Sequence, residues 1–142
     1  METPKIFAAT VIALVPSLVN AEVKKLDLKD MPLNPTPIEG VSSAMVSGNM
    51  QQAGVFGANA IMSEGSIFPP HTHPDARMSL VIEGTMYLGV GDTVDPGKEK
   101  AYEAGSMALT PAGVSHWMAA RNGDVRVLEI GTGPTVTNWT AN

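Results

Sequence analysis

Beyond residue 40 the chain runs in short apolar and polar stretches and never sustains the 3.6-residue apolar period of a long helix. Glycine and proline interrupt the pattern every ~8–12 residues, the spacing of an all-β sandwich or barrel. Runs 41–47, 54–63, 76–83, 85–90, 99–103, 106–110, 114–120 and 125–131 are the expected strands. Glu83-Gly84-Thr85 and Asn122-Gly123-Asp124 read as tight hairpin turns. In run 76–83, alternation puts Arg77, Ser79, Val81 and Glu83 on one face and Met78, Leu80 and Ile82 on the other. The first face is mixed and suits a pocket wall. The second is wholly apolar and needs cover from the preceding arm or from a second copy of the chain, so a homodimer is the expected assembly.

The start of the chain has a different character. One basic residue, Lys5, precedes an apolar run from Ile6 to Val19; Ala21 then leads into the charged Glu22-Val23-Lys24-Lys25. This is the pattern of an export signal cleaved after Ala21, and it implies a periplasmic or secreted protein lacking residues 1–21. The apolar run is shorter than the ~20 residues that span hydrocarbon, and Pro16 weakens it as a helix, so no stable membrane span is expected after cleavage. Residues 22–40 contain Pro32, Pro35 and Pro37 and read as an extended arm, leaving 41–142 as the barrel domain.

Composition narrows the chemistry. A chain of 142 residues suits one domain with one modest core. Its net charge of −5 carries no footprint for a polyphosphate, so nucleic acid is not an expected partner. The absence of cysteine removes disulfides, thiolate nucleophiles, iron–sulfur clusters and cysteine-based zinc sites. Neither a glycine-rich phosphate loop nor a supported Ser-His-Asp arrangement is present.

Three histidines remain. His71 and His73 form an i, i+2 pair on one face of an extended segment, with α-carbons ~6.5–7 Å apart, close enough for both rings to lean onto one cation. His116 follows Pro111-Ala112-Gly113 on another expected strand, and a barrel can bring it opposite the pair.

The surroundings of these histidines resemble the two motifs of the cupin family. Gly65, five residues, His71-Thr72-His73, three residues, Arg77, six residues and Gly84 follow the spacing of the first motif. Gly105, five residues, Pro111-Ala112-Gly113, two residues, His116, three residues and Ala120 follow that of the second. Two positions depart: the family's glutamate ligand is Arg77 here, and its terminal asparagine is Ala120. The resemblance is to small, exported single-domain cupins. It implies a small antiparallel β-barrel, or jelly roll, with His71, His73 and His116 holding one divalent metal ion at its mouth. It also implies turn conformations at Gly84 and Gly113.

Arg77 cannot be a ligand, because a guanidinium stays protonated and has only donors. Three arrangements are open: it orients an anionic substrate on the metal, Asp75 or Glu83 replaces the missing carboxylate, or it turns outward and water completes the shell. Three neutral nitrogens suit zinc, copper, nickel, cobalt or iron rather than magnesium or calcium. Glu83 and Tyr87 are the candidate acid–base groups, and Phe68, Met78, Tyr87, Met107, Trp117 and Met118 are candidate pocket residues. The functions in view are a metal-dependent enzyme acting on a small organic molecule, a non-catalytic module binding a small molecule or the metal itself, and a metal-free relic.

Overall fold

A computed structural model describes residues 22–140; the expected signal segment lies outside them. Among the described residues the fold is all-β apart from a single 3₁₀ turn at Pro96–Lys98. Eleven strands follow in chain order: β1 Asn34–Pro35, β2 Val41–Ser47, β3 Gly54–Met62, β4 Ile67–Thr72, β5 Arg77–Glu83, β6 Thr85–Val90, β7 Lys100–Glu103, β8 Met107–Thr110, β9 His116–Ala120, β10 Val125–Gly133 and β11 Asn138–Trp139. They form two antiparallel sheets, one ordered β1-β2-β3-β10-β5-β8 and the other β11-β4-β9-β6-β7. Among the described residues no helix is long and apolar enough to cross a membrane.

The core lies between the sheets, where alternate residues of each strand point inward. Val41, Met62, Val81, Met86, Leu88, Met118, Val125 and Val127 form its buried cluster. Both sequence-read hairpins turn out to be corners at which the chain changes sheets. Gly84 joins β5 of the first sheet to β6 of the second, and Asn122–Asp124 joins β9 back to β10. The two corners pack together: a side chain on Gly84, at φ +76°, would overlap the Asp124 carbonyl. Asp124 also accepts a hydrogen bond of 2.9 Å from the Glu64 amide. The β3–β4, β5–β6 and β9–β10 connections thus meet at one end, and the strands carry Arg77, His71 and His116 to the opposite end.

Strand β4 was not among the expected strands. Its Pro69-Pro70 pair lacks ladder donors and falls where the register with β9 shifts, between Phe68 and His71. The segment 22–40 is not a free arm. Asn34–Pro35 pair with Ser42–Ser43, and the Leu28 carbonyl accepts from Asn59 at 2.7 Å and from Arg126 at 2.9 Å. This segment covers part of the outer face of the first sheet. Met78, Met107 and Leu109 remain exposed there, at 38%, 53% and 70%.

Candidate metal centre

His71 and His116 are direct cross-strand partners of β4 and β9, and His73 lies just past the end of β4. All three are buried. Their ring centroids lie 4.2 Å (His71–His116), 4.8 Å (His71–His73) and 5.8 Å (His73–His116) apart. One nitrogen from each ring lies within 4.8 Å of the others.

The backbone aims the rings. The Nδ1 atoms of His71, His73 and His116 lie 2.6, 3.0 and 3.0 Å from the carbonyls of Pro69, Val136 and Val114. A carbonyl only accepts, so at His71 and His116 the contact places the proton on Nδ1 and leaves the Nε2 lone pair free; at His73 the same contact favours that tautomer. Burial pushes the imidazoles down, His71 to about 3 and His73 to about 4, with His116 shifted the same way. The rings are therefore neutral at neutral pH. Three neutral, pre-aimed imidazole donors at one point fit a divalent transition metal, with small ring adjustments to reach nitrogen–metal distances of about 2 Å.

Arg77 turns inward and is 4% exposed. Its Nε donates to Asp75 Oδ2 at 2.9 Å, its Nη2 donates to Thr135 Oγ1 at 3.3 Å, and the guanidinium lies 4.9 Å from the centre of the Phe56 ring. Asp75 also accepts from the Thr135 hydroxyl and the Thr132 amide. Its carboxyl is held below the usual range by these hydrogen bonds and the guanidinium, which together outweigh its desolvation. The outward arrangement of Arg77 is thus ruled out. Asp75 neutralises Arg77 instead of joining the histidines, and the residue in the family's carboxylate slot brings no net charge to the centre.

Arg77 Nη2 also lies 3.1 Å from His73 Nδ1, the nitrogen that faces Val136. A proton on Nδ1 satisfies Val136 and frees Nε2 for a metal; a bare Nδ1 accepts from Arg77 and puts the proton on Nε2. His73 is the one of the three histidines whose tautomer is contested.

Glu83 and Tyr87 are not brought to this centre. The register of β5 against β10 shifts between Arg126 and Val127, so Glu83 pairs with Arg126 and leaves the face of Arg77 and Ser79. There Glu83 accepts from Arg126 at 3.2 Å and meets Lys29 at 2.7 Å. Tyr87 faces away from the core, and its hydroxyl accepts from Asn122 at 2.8 Å. Trp117 is outward too, lying across Gly89 and donating to Glu99 at 2.8 Å. Of the candidate pocket residues, Phe68 and Met118 line the cavity, while Met78 and Met107 are on the outer surface.

The cavity holds about 260 Å³ between the sheets, and its wall includes His71, His73 and Arg77 among mostly apolar side chains. Trp139 shares that wall; its ring centroid lies 5.5 Å from that of Phe68 and 5.8 Å from that of His71. Glu129 lines the cavity as well. Neither residue was singled out by sequence reasoning. The alternation Val125, Val127, Glu129 held the signal for Glu129, an acid on an otherwise apolar inward face. A larger, open groove of about 980 Å³ along Pro37–Gly40, Ser63–Ile67 and Trp139 contains none of the three histidines.

Known proteins share this architecture. The polyketide cyclase RemF from Streptomyces resistomycificus superposes with a TM-score of 0.69 at 16% identity, covering 82% of this chain and 84% of that one. KdgF from Halomonas sp. gives 0.62 at 13% identity, covering 78% and 94%. DMSP lyase DddQ from Ruegeria pomeroyi gives 0.59 at 14% identity, covering 79% and 58%. In sequence, the chain is 30% identical over 91 residues to germin-like protein subfamily T member 2 of Arabidopsis thaliana, a match covering 61% of this chain. It spans about two fifths (41%) of that protein's length. Residues 59–131, which carry all three histidines, match the family described as Cupin domain. Histidine spacing, two-sheet barrel and family match agree: the chain belongs to the cupin family.

Proposed function

We propose that this cupin is a metal-dependent enzyme that binds a small, mainly apolar organic molecule beside a three-histidine centre. The observation that carries the reading is the convergence of three buried imidazoles, each beside a backbone carbonyl; two of them, His71 and His73, line a cavity. His71, His73 and His116 would hold zinc, copper, nickel, cobalt or iron. Such an ion, when bound with open positions, supplies Lewis acidity to a ligand oxygen.

The chain's own residues do the rest. Asp75 cancels the charge of Arg77, whose guanidinium packs beside His73. Apolar side chains such as Ala58, Met62, Met118 and Val127 exclude water and accept the body of the ligand. Relatives of this fold named as a polyketide cyclase and a DMSP lyase act on small molecules, which supports the same class here. An anionic ligand group would be drawn by the metal, since Arg77 is already paired.

The reading includes export, with cleavage after Ala21, and a homodimer that covers Met78, Met107 and Leu109. Amino-terminal sequencing of protein recovered from the cell exterior or periplasm should begin at Glu22; an uncut chain in the cytoplasm contradicts export. Elemental analysis of purified protein should give one metal per chain, lost in His71→Ala. Turnover or oxygen uptake with small phenols and carboxylates then separates an enzyme from a binding module.

A further inference from the structure

We propose that Glu129 is the polar anchor of the cavity: its carboxyl group hydrogen-bonds an oxygen of a small, mainly apolar ligand, a hydroxyl or carbonyl compound, and sets how that ligand presents itself to the histidines. This deepens the reading of the same cavity and rests on it as a ligand site.

Three observations converge on Glu129. It stands opposite Ser79 in the β10–β5 register and faces inward, one inward row, or about 7 Å along the strand, from the row of Arg77. Below it the inward positions are Val127 and Val81, both buried and apolar, so it marks the boundary between core and cavity. Its Oε1 is the one buried side-chain polar atom without a hydrogen-bond partner among the described residues. A buried acid that serves only the fold is normally paired on both oxygens, because an unmet one costs its full desolvation. Asp75 and Glu99 are so engaged, with Arg77 and Arg121 respectively. Glu129 has no such cation among the described residues, and its side chain is part of the cavity wall.

The chemistry follows from this setting. Burial pushes the Glu129 carboxyl up, against a hydrogen bond from Ser79 and the charge of Arg77. In the protonated form that burial favours, the carboxyl offers one donor and acceptor capacity together, which matches a hydroxyl or carbonyl oxygen. Much of the wall beside Glu129 is apolar, with Val41, Ala58, Met62 and Val127 among its residues, so an oxygen placed there finds its partner in Glu129.

Phenol and toluene test this, since they differ by one hydroxyl for one methyl. Dissociation constants are measured by NMR titration on the full protein, metal-loaded and after chelation, together with metal content. The wild type should bind phenol about tenfold tighter than toluene, the worth of one net hydrogen bond. Glu129→Gln should keep a preference for phenol. Glu129→Leu should abolish or reverse it with metal content unchanged.

Equal affinities in the wild type, binding of neither probe, or an undiminished preference in Glu129→Leu overturns the proposal. So does loss of metal in Glu129→Leu, which would make Glu129 a ligand of the ion. A preference that disappears on chelation also overturns it, because the metal would then be reading the hydroxyl. If the wild type takes up no metal but prefers phenol, the anchor stands and the metal reading fails.

Discussion

Replacing Arg77 with glutamate puts the family's carboxylate back into its slot, and the structure says what that does before any metal arrives. In the wild type the guanidinium holds Asp75 at 2.9 Å and Thr135 at 3.3 Å, with side-chain exposures of only 5% and 10% for Arg77 and Asp75. Arg77→Glu removes the cation paired with Asp75 and adds a second acid two residues away. Breaking a buried ion pair from one side costs about 3–5 kcal/mol, and repulsion between the two acids adds to it. For a domain of this size that is a fall of roughly 10–20 °C in melting temperature.

A divalent ion reverses the balance, since three imidazoles and a carboxylate then surround it. Urea unfolding of chelated protein, repeated with added zinc, measures both effects. Metal-free Arg77→Glu should be less stable than wild type by that amount, and zinc should stabilise it more than it stabilises the wild type, reflecting tighter binding. Asp75→Asn combined with Arg77→Glu should recover part of the loss. Metal-free Arg77→Glu as stable as wild type would refute the role of the ion pair. Weaker zinc binding by Arg77→Glu would refute the placement of Arg77 in the ligand slot.

Acid should destabilise the metal-free protein. The unfolded chain protonates its histidines near pH 6.5, whereas folded His71 and His73 wait until about 3 and about 4. Stability is therefore full above about pH 6.5 and falls as pH drops toward 4, and a flat urea midpoint between pH 8 and 5 would contradict this. Gly89→Ala should cost about 1–3 kcal/mol, because its methyl group would overlap the Trp117 ring; an unchanged unfolding midpoint and unchanged near-ultraviolet dichroism would show the ring is free to move. Light scattering should find a dimer that Leu109→Lys dissociates; a wild-type monomer at tens of micromolar would leave the outer face without its proposed cover.

The cluster of three histidines was legible because side chains that meet at one point of a barrel sit at fixed spacings along its strands, and those spacings survive in a linear sequence. Gly84 and Gly113 were legible for the same kind of reason, and both take φ +76°. Glu83 was misplaced because strict alternation fails at a bulge, and nothing in the run Arg77–Glu83 marks where the extra residue falls. The corners at Gly84 and Gly123 look like hairpin turns in sequence, since a sheet change and a hairpin need the same positive-φ residue. Tyr87 and Trp117 lie on the outward parity of strands whose inward face is set by Met86, Leu88 and Met118. Thr135, which hydrogen-bonds both Arg77 and Asp75, lies some sixty residues away, and only the fold brings it near.

Anomalous diffraction from crystals grown with zinc tests the central claim most directly. One strong peak per chain is expected, about 2.0–2.1 Å from Nε2 of His71, His73 and His116 together. No peak there, or a peak held by only one of the three rings, would contradict the metal centre.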